Sequence, residues 1–213
     1  MEFDRRRLFM FAVGAGASRV LAAAEFWNAR ASSTWTDEEV GALISKSPWA
    51  KAAIPTMKAA KGEDPVSDPA ARGGRGFRLT PITVTVRWES AQPILDALKS
   101  PLAADFEGHY VVSVTNLPME NARRTGRGAD TTPDDALERL QAGAILQVKG
   151  KEPTEAGIVR RTRIGSILFG FSKDYLRVAP GDREIVFKLD TGQLTLQAKF
   201  DAKEMNYRGE LAL

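Results

Sequence analysis

The sequence predicts an α+β protein: a largely antiparallel β-sheet or sandwich, with a helical N-terminal arm and two further helices. Two observations predict this class. Apolar residues recur at helical spacing only in short stretches that end by residue 143. Beyond that point apolar and polar residues alternate, as they do along half-buried strands. A mainly-β sandwich is the alternative that the same pattern allows.

Composition narrows the class of protein further. The chain has 213 residues, no cysteine and one histidine, and its 30 basic and 27 acidic residues give a formal net charge of +3. This length suits a single domain with a substantial core. The composition excludes a disordered chain, a polytopic membrane protein and a disulfide scaffold. It also excludes thiol catalysis, cysteine-ligated metals and a histidine-rich metal site.

Residues 1–24 have the layout of a secretory signal peptide. Arg5, Arg6 and Arg7 precede ten apolar residues, and three alanines at 22–24 supply a small-residue cleavage pattern. Ten apolar residues are too few to span a bilayer, which takes about 20. The consecutive arginines resemble the twin-arginine type. General secretion, or an N-terminal helix that stays on the protein, is the alternative.

Export predicts a periplasmic or extracellular location. Cleavage would remove four arginines and two acids, which lowers the formal net charge from +3 to +1. A nearly neutral mature chain predicts no nucleic-acid partner. No stretch after residue 24 has the length and apolar character of a membrane span, so none is predicted there.

The arm itself is predicted over residues 25–60. Thr36 followed by Glu39 has the form of a capping box, and a helix follows until about residue 46. Ser47 and Pro48 then predict the cap and first residue of a second, short helix. A linker over residues 61–78 follows, since glycine and proline are frequent there and large apolar residues almost absent.

The α+β domain is predicted over residues 79–213. Strict alternation predicts a strand over 82–89, and a second strand covers 110–117. Between them, Ser90 predicts the cap of a helix. The two strands are parallel with a crossover helix, or antiparallel with the helix inserted between sheets, and the sequence leaves both arrangements open.

A polar loop over 121–131 precedes a helix that Thr132 caps and Gly143 ends. The residues that follow predict β-strands. Asp190, Thr191 and Gly192 predict a tight hairpin connection, so that the last three strands form an antiparallel meander. The six predicted strands cover residues 145–149, 157–162, 166–171, 184–189, 194–200 and 207–211.

No motif predicts a catalytic, cofactor-binding or metal-binding residue, and the balance favours a protein that is not an enzyme. His109 is the only histidine and stands just before a predicted strand, where a partly exposed surface residue is expected. The glycine-rich run at 73–76 lacks the spacing of nucleotide-binding loops. Paired carboxylates could run glycoside hydrolysis. The available acids, each also explained as a cap or surface group, are Glu38, Glu39, Glu89 and Asp105.

Arginine and tryptophan side chains are the candidate partner-binding residues. Arginine suits bidentate contacts with carboxylate or phosphate, and tryptophan is frequent at binding hot spots. If the loops that carry the arginines come together in the fold, they would bind an anionic glycan or an acidic protein face. If the loops are separate, the arginines are ordinary solvent-exposed residues. The tryptophans either form such a surface or pack the arm on its own sheet. The candidates are Trp27, Trp35, Trp49, Arg72, Arg75, Arg78, Arg123, Arg124 and Arg127, and a third arginine group is Arg160, Arg161 and Arg163.

Several segments carry a resemblance to a known group. The run WTDEE at 35–39 with SPWAK at 47–51, then VRWESA at 86–91 and KGK at 149–151, resembles uncharacterised exported bacterial proteins that begin with a W-T-x-E-E…SPWAK segment. The resemblance covers most of the mature chain. It implies export, and it implies no activity, cofactor or catalytic residue.

The leading functional hypothesis is therefore an exported, non-catalytic envelope protein that binds another envelope protein or serves as a structural or accessory subunit. Export, the missing catalytic signatures, the tryptophan-rich arm and the long polar loops motivate it. A glycan-binding module using the arginine loops and tryptophans is the first alternative. A carboxylate-dependent hydrolase is the second.

Overall fold

The computed structural model describes residues 25–58, 82–118 and 133–213. Several predictions lie outside these residues: the signal peptide, the linker at 61–78, the loop at 121–131 and the Thr132 cap. Within the described residues the chain forms four α-helices and two five-stranded antiparallel sheets that are not closed into a barrel. The predicted α+β class is confirmed.

Four helices and two 3-10 turns make up the helical part. They are α1 Phe26–Ala29, α2 Asp37–Ser45, α3 Gln92–Leu98 and α4 Pro133–Gly143, with the turns at Ser32–Thr34 and Ala104–Phe106. The strands are β1 Ala50–Ala53, β2 Thr56–Met57, β3 Val84–Trp88, β4 His109–Thr115, β5 Ala144–Val148, β6 Thr154–Glu155, β7 Ile158–Arg161, β8 Ile167–Ser172, β9 Glu184–Asp190, β10 Leu194–Asp201, β11 Asn206–Tyr207 and β12 Glu210–Leu211.

The two large sheets pack face to face around one core. Sheet I has the strand order β1-β3-β4-β8-β7, and sheet II the order β2-β10-β9-β5-β6. Trp88 of sheet I meets Phe200 of sheet II edge to face, with ring centroids 5.6 Å apart. Phe169 of sheet I meets Phe187 of sheet II at 5.4 Å. Aromatic pairs of this kind join the two inner faces into a sandwich.

Local signals predicted the start and end of α2. The Thr36 amide donates to a Glu39 carboxylate oxygen at 2.9 Å, and the Glu39 amide donates to the Thr36 hydroxyl at 3.3 Å. The predicted capping box is therefore confirmed. The helix ends at Ser45, next to the residue where the sequence predicted its end.

The prediction of a second helix after Ser47 is wrong. The Ser47 hydroxyl accepts from the Trp49 amide at 3.2 Å, which is a local turn, and residues 50–53 then form β1. This strand pairs antiparallel with β3, placing Lys51 opposite Val86. The backbone N–H and C=O groups of β1 that face β3 are satisfied by a strand more than 30 residues away in sequence. The residues around β1 carry no pattern that predicts such a partner.

The same segment changes sheets, so much of the predicted helical arm is β-structure. Beyond Pro55 the chain forms β2, which pairs with β10 and places Thr56 opposite Thr195. Proline has no amide to donate, which suits the bend between the two sheets. One continuous stretch thus supplies an end strand to each sheet.

The two strands whose direction the sequence left open are antiparallel. β3 pairs directly with β4, and Val86 lies opposite Val114. The N-cap of α3 is Ala91 and not Ser90, so that prediction is wrong. The Ser90 hydroxyl instead accepts from the Val111 amide at 3.0 Å, which ties the start of the helical connection to β4.

At the C-terminal end the predicted hairpin is confirmed and the predicted last strand is wrong. β9 and β10 pair across a turn in which Gly192 has a φ of +82°. Residues 207–211 do not form a single strand in the meander, because β11 and β12 make a separate hairpin. Arg208 and Gly209 both have positive φ there, which is the backbone of a type I′ turn.

Candidate functional site

The tryptophans of the N-terminal segment belong to the core. Trp27 and Trp49 are 6% and 0% exposed, and their rings meet edge to face at 5.5 Å. Phe26 meets Trp27 at 5.2 Å and Trp35 at 5.4 Å. Of the two interpretations that the sequence left open, the structure places all three tryptophans in packing positions. Their buried rings offer a partner almost no surface.

This aromatic cluster is fastened to the C-terminal hairpin. The Trp49 indole N–H donates to the Ala212 carbonyl at 2.7 Å. The Arg208 amide donates to the Asn28 side-chain oxygen at 2.7 Å. Trp35 meets the ring of Tyr207 at 6.4 Å. Segments 163–180 residues apart in sequence therefore form one wall of the molecule.

A groove of about 740 Å³ opens beside this wall. We call it the N-terminal groove, and it is bounded by α1, the end of α2, β1 and the turn after β10. Its volume falls in the range of ligand-binding clefts. Its lining includes the apolar residues Phe26, Trp27, Ala42 and Ala50, of which Ala42 alone is exposed, and the charged residues Glu25, Lys46, Lys51, Lys203 and Glu204.

The charged side chains of the groove carry a small positive excess. Three lysines stand against two glutamates. One pair is partly satisfied, since Lys51 Nζ lies 3.9 Å from Glu204 Oε2. Lys46 and Lys203 form no ion pair within the described residues, which leaves them available to anionic groups of a ligand.

The groove runs along an open sheet edge. β1 is the end strand of sheet I, and both Ala50 and Ala52 line the groove. The Trp88 amide donates to the Trp49 carbonyl at 2.8 Å. Because backbone groups of an antiparallel strand face alternate sides, those of Lys51 point to β3 and those of Ala52 point away from it. Ala52 is exposed, and its N–H and C=O have no strand partner among the described residues, so another strand can pair with them.

Three of the four acids that could form a hydrolytic pair, Glu39, Glu89 and Asp105, are held by arginines. The Thr36 amide and Arg30 both bind the Glu39 carboxylate, and these contacts lower the pKa of its carboxyl. Arg160 donates to Asp105 at 3.1 Å. Within the described residues, the groups bonded to these two carboxylates are arginines and a backbone amide.

Glu89 lies in a similar half-buried cluster on the outer face of sheet I. Arg87 Nε donates to it at 2.8 Å and Nη2 at 3.0 Å, which is a bidentate ion pair. The Ser113 hydroxyl donates to the same carboxylate at 2.8 Å. The cluster is satisfied internally, because the carboxylate beside the Ser113 hydroxyl is already ion-paired with Arg87.

His109 and the metal-ligating residues define no further site. His109 is bonded through Nδ1 to the Glu107 carbonyl at 2.8 Å. In the part of the chain that the structure describes, no three His, Asp or Glu side chains are placed to hold a metal ion. Across the same ranges no helix has the length and apolar character to cross a membrane.

Of the three arginine groups, two lie outside the residues that the structure describes and one lies within them. Arg72, Arg75, Arg78, Arg123, Arg124 and Arg127 lie outside the described residues. The third group is placed on the β7–β8 hairpin, where Arg160, Arg161 and Arg163 are all exposed. Arg160 alone of these three has an acid as partner among the described residues.

Behind the aromatic wall, Tyr207 gives the molecule a pH-dependent contact. Its hydroxyl donates to Asp96 Oδ2 at 2.8 Å, and burial together with this bond raises its pKa to about 12. Because the folded value exceeds the ordinary value near 10, the contribution is complete below pH 10 and is lost as the pH rises towards 12.

Chemical unfolding measured from pH 9 to 12 should therefore show a decline in the free energy of unfolding that Tyr207→Phe reduces. Tyr175→Phe, at a ring that is 85% exposed, is the matched control and should leave the decline unchanged. Equal declines in the wild type and Tyr207→Phe would contradict the assignment.

No family model, no curated protein and no solved structure matches this chain.

Proposed function

We propose that this protein is an exported, non-catalytic protein of the cell envelope that binds an extended segment of another envelope protein in the N-terminal groove. The observation that carries the proposal is the coincidence of a groove with the free edge of β1. An extended peptide can add to such an edge through main-chain hydrogen bonds, while its side chains occupy the adjoining pocket.

The chemistry of the groove indicates the kind of segment. Ala42 and Ala52 supply exposed apolar side chains, and Lys46 and Lys203, which have no ion-pair partner among the described residues, supply cations at its margin. A segment that alternates apolar and acidic side chains fits this arrangement, because alternate residues of a strand face opposite sides. Acidic residues would also speed association with the lysines at low salt.

Export is supported by the residues that precede the described chain. The arginines, apolar stretch and alanines of residues 1–24 form the signal-peptide layout, and cleavage would leave Glu25 as the first residue. Glu25 lies at the margin of the groove. Under this proposal the processed N-terminus lies beside the binding site.

The test is a proline at the open edge. Ala52→Pro removes an amide that points away from β3, so it should change the free energy of unfolding by less than about 1 kcal/mol. It should abolish capture of the partner strand, because the central main-chain donor is lost. Ala53→Pro is the contrasting variant: its amide faces β3, and it should destabilise by about 1–3 kcal/mol.

Capture is measured in cells with a photo-crosslinking amino acid placed at Lys203, on the groove, or at Glu138, an exposed residue of α4. Helix α4 leads into β5 at the end of sheet II opposite to the end that Lys203 follows. We expect a discrete crosslinked product in the envelope fraction from position 203 that position 138 does not give. Introducing Ala52→Pro should remove it. The same product from positions 203 and 138, or one that survives Ala52→Pro, would overturn the proposal.

A further inference from the structure

A second surface lies at the opposite margin of sheet I, on the β7–β8 hairpin. Its turn carries Arg161, Arg163 and Ile164, and residues 158–167 contain no acid. Ile164 is 85% exposed, which is unusual for a branched aliphatic side chain. Neither Arg161 nor Arg163 forms an ion pair within the described residues, so the turn presents two uncompensated cations around an apolar tip.

The strand register extends this surface along one end of sheet I. Arg161 lies opposite Ile167, Ile167 opposite Val114, and Thr85 opposite Thr115. The end of β7, the start of β8, the end of β4 and the start of β3 are therefore at the same end. Ile82, which leads into β3 there, is 53% exposed. A second aliphatic side chain thus lies at the end that carries the hairpin tip.

The geometry points to an anionic phospholipid surface as the partner of this end of sheet I. We call this end the hairpin tip surface, and it consists of Arg161, Arg163, Ile164 and Ile82. Guanidinium groups bind phosphate in a bidentate manner. Basic residues near an anionic leaflet attract it, and apolar side chains between them enter the boundary of the acyl chains. Cations beside exposed aliphatic side chains are the combination that such a boundary requires.

A glycan fits the same surface less well. An anionic polysaccharide would use the arginines and leave Ile164 and Ile82 without a role. Sugar rings commonly stack on aromatic side chains, but all four tryptophans, Trp27, Trp35, Trp49 and Trp88, are buried. The apolar tip therefore decides between the two anionic partners in favour of lipid.

The absence of cysteine allows a local test. Ile164→Cys and, as a control, Tyr175→Cys each give the full chain a single thiol for an environment-sensitive fluorophore. Tyr175 is equally exposed but follows β8, at the other end of that strand. Vesicles of phosphatidylglycerol and phosphatidylcholine in equal amounts should shift the emission of the label at 164 to the blue and leave the label at 175 unchanged.

The arginines provide the electrostatic half of the test. In the Ile164→Cys background, Arg163→Gln should weaken partitioning by about fivefold, and about 1 M salt should abolish it. Pure phosphatidylcholine should give no shift. Lys203→Gln, on the N-terminal groove, should change nothing, so failure here is distinguishable from failure of the proposed function.

Three outcomes would overturn the inference. One is no blue shift at position 164, and another is an equal shift at positions 164 and 175. The third is a shift produced as strongly by soluble polygalacturonate as by vesicles, which would assign the surface to a glycan.

Discussion

Replacing Trp49 with alanine is expected to lower the free energy of unfolding by about 3–5 kcal/mol, the cost of emptying a large aromatic site in a core. The side chain is completely buried and meets Trp27 edge to face. Its indole also holds the Ala212 carbonyl. Loss of the ring therefore opens a cavity and releases the contact between the N-terminal segment and the C-terminal hairpin.

A phenylalanine at this position separates the two contributions. Trp49→Phe and Trp88→Phe remove the same atoms from side chains that are both 0% exposed. The Trp49 indole N–H has an acceptor, whereas that of Trp88 has no hydrogen-bond partner among the described residues. We expect Trp49→Phe to cost about 1–2 kcal/mol more, because it leaves a buried carbonyl unpaired. Equal costs, measured by chemical unfolding, would show that the indole bond contributes nothing.

The same comparison bears on function. Replacing a tryptophan at a binding hot spot reduces binding and leaves stability nearly unchanged. Replacing a core tryptophan lowers stability, and binding falls only because less protein is folded. Since the proposed partner strand pairs with β1, which begins next to Trp49, Trp49→Phe should reduce capture only in proportion to unfolding. Lys203 is exposed, so replacing it removes little packing. Variants at Lys203 therefore report on binding alone.

Features set by neighbouring residues were predictable from the sequence. The capping box at Thr36 and the hairpin at Gly192 each depend on residues within a few positions of one another. The strand predicted over 166–171 is likewise β8, in which Ile167, Phe169 and Phe171 are buried. In each case the local pattern and the tertiary structure favour the same geometry.

Features set by distant partners were not predictable. Residues 50–53 are three alanines and a lysine, which are weak strand formers, and they form β1 only because β3 offers its edge. The N-terminal groove combines residues 25–28, 42–52 and 203–206. No spacing in the sequence predicts that these three segments lie together. The one signal that pointed to this region was the group of tryptophans at 27, 35 and 49.

Gly143 shows how a local rule can be right for the wrong reason. The sequence predicted it as the end of a helix, and α4 does end there. Glycine usually ends helices by taking a left-handed backbone conformation, yet Gly143 is not among the residues with positive φ. Its lack of a side chain serves another need, because the chain passes directly from α4 into β5 and crosses closely over the end of β9.

Gly143→Ala is accordingly expected to destabilise the protein by about 1–3 kcal/mol or more, although alanine is the better helix former. A Cβ atom at this position would collide with the Asp190 carbonyl oxygen and lie 2.8 Å from its carbonyl carbon. Backbone atoms cannot rotate aside. Asp190 is also held in place, since Lys58 donates to its carboxylate and lowers its pKa.

Gly41→Ala is the matched control because Gly41 also lies in a helix, α2, with nothing within 4 Å of the position of a Cβ atom. There the helix propensity of alanine acts alone, and the free energy of unfolding should rise by about 0.5–1 kcal/mol. The same substitution is thus expected to have opposite signs at two helical glycines. A stabilising Gly143→Ala would mean that the junction of α4 with β5 shifts away from β9 at little cost, and that the close approach does not fix the register of sheet II.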